Sequence, residues 1–178
     1  MEEFKTFEEI QKMDEKHQLL GSFTGYKPDL KLFHKALSQE KLSKETPKDI
    51  QGQFNVAKNM ALYTYFMYAL APEVQLKTYT VIEHALRVKA NQKGRKMLKQ
   101  LWRQAVSKGW ISDSGFRHIK NPSPENPWCH DMIDIIPDLR NSKAHGSNML
   151  MGDCLHHITS CADLINQLFP EKTLNKSI

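Results

Sequence analysis

The chain has 178 residues, of which 40% are hydrophobic and 25% are charged, and its formal net charge at pH 7 is +5. A chain of this length suits one domain and can bury roughly two-thirds of its unfolded surface, so a core can form without covalent staples. No apolar run approaches the ~20 residues of a membrane-spanning helix, and the first residues lack the basic and apolar parts of a secretion signal. Three cysteines, an odd number, argue against a disulfide framework. We therefore expect a cytoplasmic protein that does not bind a membrane. Its net positive charge is compatible with a polyanionic partner such as a nucleic acid.

The first fifty or so residues predict two short helices and a connector. Thr6 and Glu9 have the spacing of a capping box, and apolar residues then recur at steps of three and four, which predicts a helix over 6–20. A second short helix is predicted after Pro28. The polar stretch 41–52 is predicted to be a connector.

We place a domain boundary at the end of that connector, between an N-terminal helical extension (1–52) and a helical bundle domain (53–178). Periodic apolar residues in the second part predict five helices, over residues 54–70, 72–90, 94–109, 128–139 and 149–169. Three prolines within 112–127 predict an exposed loop. No stretch alternates with a two-residue period, so no strands are expected. The predicted fold is all-α, an up-and-down bundle of four to five core helices with an N-terminal helical extension.

A polar segment, Arg140–Gly146 (Arg-Asn-Ser-Lys-Ala-His-Gly), stands between the last two predicted helices. An Arg followed by a polar residue, with a His five positions after the Arg and a long amphipathic helix beyond, resembles the Arg-x(4–6)-His signature of the HEPN superfamily. The resemblance covers about 54–169. It implies a homodimer whose two motifs face each other across a cleft. In active members it implies an endoribonuclease that acts on RNA without a metal or another cofactor.

Three residues of this segment have candidate catalytic roles. Cleavage of RNA by its own 2′-hydroxyl needs proton exchange near neutral pH, and an imidazole with a pKa of about 6.5 suits that task, so His145 is the predicted general acid or base. The planar guanidinium of Arg140 can meet two phosphate oxygens at once and stabilise the charge of the transition state. Asn141, four residues before His145, would share its helix face and orient the imidazole.

Arg140 and His145 lie about 140° apart around an ideal helix, so a single chain presents them poorly to one phosphate. Either the helix ends between them, which Gly146 favours, or the partner chain supplies the missing group.

Lys143 and Arg87 are the candidate RNA-binding residues, since cations can guide the RNA backbone without reading its sequence. Further basic residues of the neighbouring helices extend this candidate track: Lys89, Lys93, Arg95, Lys96 and Lys99. An ordinary solvated basic face is the other interpretation.

The resemblance also implies a biological setting in phage defence, in a toxin–antitoxin system or in RNA maturation. An antitoxin or another defence protein is the expected partner in the first two settings. Some HEPN toxins are neutralised by nucleotidyl transfer to a Tyr that stands two residues after the His. This chain has Ser147 at that position, so that route lacks its acceptor.

A non-catalytic helical dimerisation or RNA-binding module is the main alternative. In that interpretation Arg140 pairs with a carboxylate, for which Glu83, Asp134 and Asp138 are candidates, and His145 only caps the end of a helix.

A zinc-stabilised helical protein is a further alternative. Cys154, His157 and Cys161 have spacings of three and four residues, which on a helix place them on one side. Structural zinc usually draws its ligands in close pairs from turns, and the two cysteines also fit as small core residues. We assign no metal ligand.

Overall fold

The computed structural model describes residues 3–25, 27–92, 94, 96–144 and 154–172. Within these residues the chain forms α-helices and no β-strand, which confirms the all-α fold class. The helices are α1 (Glu15–Thr24), α2 (Leu30–Gln39), α3 (Lys48–Tyr63), α4 (Ala71–Lys89), α5 (Leu98–Ser107), α6 (Pro127–Ala144) and α7 (Cys154–Leu168).

Helix α4 is the centre of the bundle, because it packs against α3, α5, α6 and α7. Its buried side chains recur from Val74 to Leu86, as expected for a helix that has neighbours on several sides. Helix α5 packs on α6, and the indole Nε1–H of the fully buried Trp102 donates to the carbonyl of Cys129 over 2.9 Å. These contacts make α3 to α7 one helical bundle.

Two predicted helix boundaries in the bundle are confirmed. Pro72 lies in the first turn of α4, where a backbone N–H has no intrahelical acceptor, so the N–H that proline lacks costs no hydrogen bond. Gly109 follows α5 with φ of 64°, the left-handed conformation that glycine adopts most readily. Of the last predicted helix, the part from Cys154 onward is described, and residues 149–153 lie outside the described residues.

The N-terminal helix begins later than predicted. Thr6 and Glu9 do interact, since the Thr6 N–H donates to the Glu9 carboxylate over 2.9 Å, but the contact closes only a turn. The true N-cap of α1 is Asp14, whose Oδ1 accepts the Lys16 N–H over 3.0 Å. The other oxygen of Asp14 accepts the N–H of Tyr68 over 2.9 Å, so a tertiary contact selects this residue as the cap.

Helix α3 is displaced towards the N-terminus relative to the prediction. It starts at Lys48, so the last part of the predicted connector 41–52 is helical. It ends at Tyr63 rather than at residue 70, because the Tyr65 carbonyl and the Tyr68 N–H bond to Asp14 instead of continuing the helix. Helix α3 therefore crosses residue 52, and the division into 1–52 and 53–178 stays an interpretation.

The predicted loop 112–127 contains no α-helix before Pro127 and is largely exposed around its three prolines, but its first part is fixed to the bundle. The guanidinium of Arg117 bonds to Asp163 over 2.6 Å and to Glu40 over 2.5 Å, and both carboxylates are buried. Phe116 beside it is also buried in the core. The prediction of an exposed loop is confirmed for the part that contains the prolines. The tertiary contacts of Phe116 and Arg117 were not predicted, because proline content reports the loss of helix and says nothing about tertiary contacts.

No helix in the described ranges combines the length and the apolar character that a bilayer crossing requires.

Candidate functional site

Helix α6 carries the predicted site at its C-terminal end and is anchored at its N-terminal end by Asp113. The carboxylate of Asp113, which is buried, accepts the N–H groups of Trp128 over 3.1 Å and of Cys129 over 2.9 Å. The first turn of a helix leaves such donors without intrahelical partners, and Asp113 supplies the acceptors from a separate turn of the chain. The start of α6 is therefore held against the bundle.

Arg140 and Asn141 lie in the last turns of α6, and the helix continues through Lys143 to Ala144. The helix consequently does not end between Arg140 and residue 144. Arg140 and Asn141 are therefore both helical and lie near the end of α6, and the Asn141 side chain is exposed to solvent. His145, the predicted proton-transfer residue, lies outside the described residues.

Arg140 is held at the surface by an acidic side chain of the central helix. Its Nη2 lies 3.6 Å from Oε2 of Glu83, and its Nη1 donates to Oδ1 of Asn141 over 3.3 Å. The Asn141 amide oxygen therefore contacts Arg140, whereas the predicted orientation of His145 by Asn141 stays a prediction. Of the carboxylates proposed as structural partners of Arg140, the described contact is with Glu83.

Glu83 also binds Arg87, one turn later on α4. Nη2 of Arg87 donates to Oε1 of Glu83 over 2.6 Å and to the carbonyl of Lys96 over 2.6 Å. The Glu83 side chain is 17% exposed, against 30% for Arg87 and 39% for Arg140. We call these three side chains the Glu83 cluster. Two guanidinium groups and one carboxylate leave a local charge of +1, which favours an anion at the exposed edge of the cluster.

One donor of the cluster has no hydrogen-bond partner among the described residues. Nε of Arg140 is buried from solvent and makes no hydrogen bond within the described part of the chain. A buried donor without an acceptor carries a desolvation cost of about 1–3 kcal/mol. The end of α6 thus keeps a guanidinium whose hydrogen-bonding capacity is only partly used.

Most of the other basic side chains that were predicted to contact RNA form hydrogen bonds or ion pairs within the protein. Lys89 donates to the Leu168 carbonyl over 2.6 Å and lies over the rings of Trp110 and Phe169. Lys96 donates to Gln104 over 2.9 Å, and Lys99 forms an ion pair with Asp134. Lys93 and Arg95 lie outside the described residues. These contacts favour the interpretation of an ordinary basic face for this part of the predicted track.

The cysteines behave as core residues. All three are buried and form no disulfide. Burial raises the pKa of the Cys161 thiol, and its Sγ–H donates to the Thr78 carbonyl over 3.8 Å. No group of three or more His, Cys, Asp or Glu side chains suited to a metal ion occurs within the described ranges.

Two histidines and a tryptophan lie together beside the start of α6. The ring of His118 is 5.0 Å from Trp128 and 5.2 Å from His156, measured between centroids. Burial, and next the neighbouring His156, lower the pKa of His118, and its Nδ1 is buried without a hydrogen bond to any described residue. This group could not be predicted from the sequence because its members come from separate parts of the chain.

No family model, no curated protein and no solved structure matches this chain. The resemblance to the HEPN superfamily therefore rests on the segment Arg140–Gly146 and on the order of the helices around it.

Proposed function

We propose that this protein is a metal-independent endoribonuclease of HEPN type, which cleaves RNA at a site formed when two copies of the chain pair. The observation that carries the proposal is the position of Arg140. Its guanidinium lies near the end of α6, partly exposed, next to a second arginine of the Glu83 cluster. A site with a net positive charge at a solvent-facing edge suits a phosphodiester.

The proposed reaction is a transesterification that releases the downstream fragment of the RNA. The 2′-hydroxyl loses its proton to a base and attacks phosphorus, the bond to the 5′-oxygen breaks, and an acid protonates that oxygen. The products end in a 2′,3′-cyclic phosphate and a 5′-hydroxyl. We assign proton transfer to His145 and stabilisation of the non-bridging oxygens to Arg140.

Asn141 and Lys143 complete the proposed site. The exposed Asn141 lies at the same end of α6 as Arg140 and orients either that guanidinium or His145. Lys143, in the last turn, and Arg87 guide the RNA backbone.

We place the reaction in the cytoplasm, where buried thiols such as those of this chain stay reduced. Within the proposal, phage defence and toxin–antitoxin systems are the settings, and an antitoxin or a defence protein is the regulatory partner.

The test is cleavage of a mixed single-stranded RNA in EDTA by the wild type, His145→Ala and the matched control His130→Ala. His130 is an exposed histidine of the same helix, ten residues before Arg140 and therefore about 15 Å from it along an ideal helix axis. We expect cyclic-phosphate ends from the wild type and from His130→Ala, and a loss of at least about a hundredfold for His145→Ala. Undiminished cleavage by His145→Ala would reject the proposal.

A non-catalytic RNA-binding or dimerisation module is the second candidate, and the ion pair between Arg140 and Glu83 favours it. An arginine that pairs with a mostly buried carboxylate can contribute to the stability of the fold without any contact with RNA. RNA binding that survives Arg140→Ala, without product from any RNA tested, would support this candidate. Arg103→Ala, which removes an exposed cation from α5, is the matched control.

A further inference from the structure

A cavity of about 260 Å³ lies between the N-terminal helices and the bundle. It is bounded by α1, the start of α2, the turn after α3 and the start of α7. Its walls include the side chains of His17, Leu20, Phe33, Tyr65, Tyr68 and Leu155. None of the residues of the Glu83 cluster lines it, so it is separate from that cluster.

Three rings on one side of the cavity are fixed relative to each other. The ring of His17 stacks on Tyr65 with centroids 6.0 Å apart and meets Tyr68 edge-on at 5.1 Å. His17 is held by a hydrogen bond of 2.8 Å from Nε2 to the Thr64 carbonyl, which requires that Nε2 carries a proton. Aromatic walls that are already in position favour a planar aromatic guest.

The described lining of the cavity offers no cationic side chain to an anionic guest. No Lys or Arg occurs among the described residues that line the cavity, and the one carboxylate, Asp29, caps α2 by accepting the N–H groups of Lys31 and Leu32. Burial raises the pKa of Tyr68, so its hydroxyl stays neutral at physiological pH. A carboxylate entering this cavity would lose hydration without gaining a cation.

We propose that the cavity binds a small, uncharged aromatic molecule of about two fused rings. An apolar cavity of about 150 Å³ is large enough for benzene, so a cavity larger than that accommodates a second ring. The ligand packs against His17, Tyr65 and Tyr68 and is covered by Leu20 at the mouth. Because Leu20 belongs to α1 and Leu155 to α7, the bound molecule bridges the N-terminal segment and the bundle.

Indole is the probe, measured by isothermal titration calorimetry on the full chain, with indole-3-carboxylate as its anionic counterpart. We expect saturable binding of indole with a Kd of about 0.1–1 mM, as suits a ligand of nine heavy atoms, and binding of the carboxylate at least about tenfold weaker.

The matched variants are Leu20→Trp and Leu19→Trp. Leu20 lines the cavity and is 42% exposed, so a larger side chain can fill the mouth without overpacking the core. Leu19 is its neighbour on α1, is 57% exposed and does not line the cavity. We expect Leu20→Trp to raise the Kd for indole at least about tenfold and Leu19→Trp to change it less than about twofold.

Absence of saturable indole binding to the wild type would overturn the proposal, and so would equal affinity for indole-3-carboxylate. Equal indole affinity in Leu20→Trp would place the binding elsewhere and overturn it as well. If Leu20→Trp does not fold, intermolecular NOEs in the wild type decide. Contacts between indole and the ring protons of Tyr65 or Tyr68 support the proposal, and NOEs only to other residues refute it.

Discussion

The Glu83 cluster allows a quantitative test of whether Arg140 serves the fold. The perturbation is Glu83→Gln, which keeps the size of the side chain and removes its charge. The bond from Arg87 to Glu83 is short, at 2.6 Å, and both groups are largely protected from solvent. A hydrogen bond between charged groups of this kind contributes about 1.5–3 kcal/mol. The Arg140 nitrogen lies 3.6 Å from the same carboxylate, beyond hydrogen-bonding distance, and the side chain is more exposed.

We therefore expect two unequal coupling energies in double-mutant cycles that pair Glu83→Gln with Arg87→Met and with Arg140→Met. The coupling of Glu83 to Arg87 should be about 1–2 kcal/mol, and that of Glu83 to Arg140 below about 0.5 kcal/mol. Urea unfolding followed by circular dichroism measures both. With an m-value of about 2 kcal/mol/M, the larger coupling corresponds to a midpoint shift of about 0.5–1 M.

A coupling of Glu83 to Arg140 that equals or exceeds the coupling of Glu83 to Arg87 would contradict this expectation. That result would make Arg140 a structural residue and would favour the non-catalytic module. If the coupling is small and Arg140→Met nevertheless abolishes RNA cleavage, the guanidinium acts on the RNA and not on the fold.

Two further predictions concern the surroundings of α6. Asp113→Ala should lower the free energy of unfolding, measured in urea, by about 1–2 kcal/mol, because two N–H groups at the start of α6 lose their acceptor. Ser114→Ala is the control: Ser114 is an exposed neighbour, and its substitution should change the free energy of unfolding little. The pKa of His118 is lowered in the folded protein, so the unfolded chain binds a proton at this histidine more readily than the folded chain does. The contribution of His118 to the free energy of unfolding is therefore present above pH of about 6.5 and is lost as the pH falls below that value. His118→Phe should flatten the fall of the urea midpoint below pH 6.5, and an unchanged slope would contradict this origin.

The helices of the bundle could be predicted from sequence because their signals are local. Apolar residues at steps of three and four, Pro72 in a first turn and Gly109 after a last turn each act within a few residues of the chain. The all-α fold follows from them. The ion pair of Glu83 with Arg87 is equally local, since residues four apart on a helix are neighbours.

The features that sequence reasoning missed depend on contacts between distant segments. Asp14 was not identified as the cap of α1 because its second partner, Tyr68, lies 54 residues away. Asp113 caps α6 from a turn outside the helix, and Arg117 joins carboxylates from two other elements. No local pattern reports such contacts, so the start of α1 and the fixed loop before α6 could not be predicted.

Subunit mixing tests whether the proposed site is composite. Because α6 continues through Ala144, Arg140 and residue 144 lie on one uninterrupted helix, and an arginine and a histidine five positions apart on such a helix point about 140° apart. We therefore expect that, in the proposed dimer, one phosphate is met by Arg140 of one chain and His145 of the other.

Arg140→Ala and His145→Ala homodimers should each be inactive, since every site in them lacks one group. After unfolding and refolding of an equal mixture, about half of the dimers are heterodimers, and each contains one site with both groups intact, so about a quarter of the wild-type cleavage should return. If both groups act within one chain, each chain of the heterodimer lacks one of them and no activity returns. Recovery in the mixture would therefore show that the two chains share the site, and its absence would assign Arg140 and His145 to the same chain.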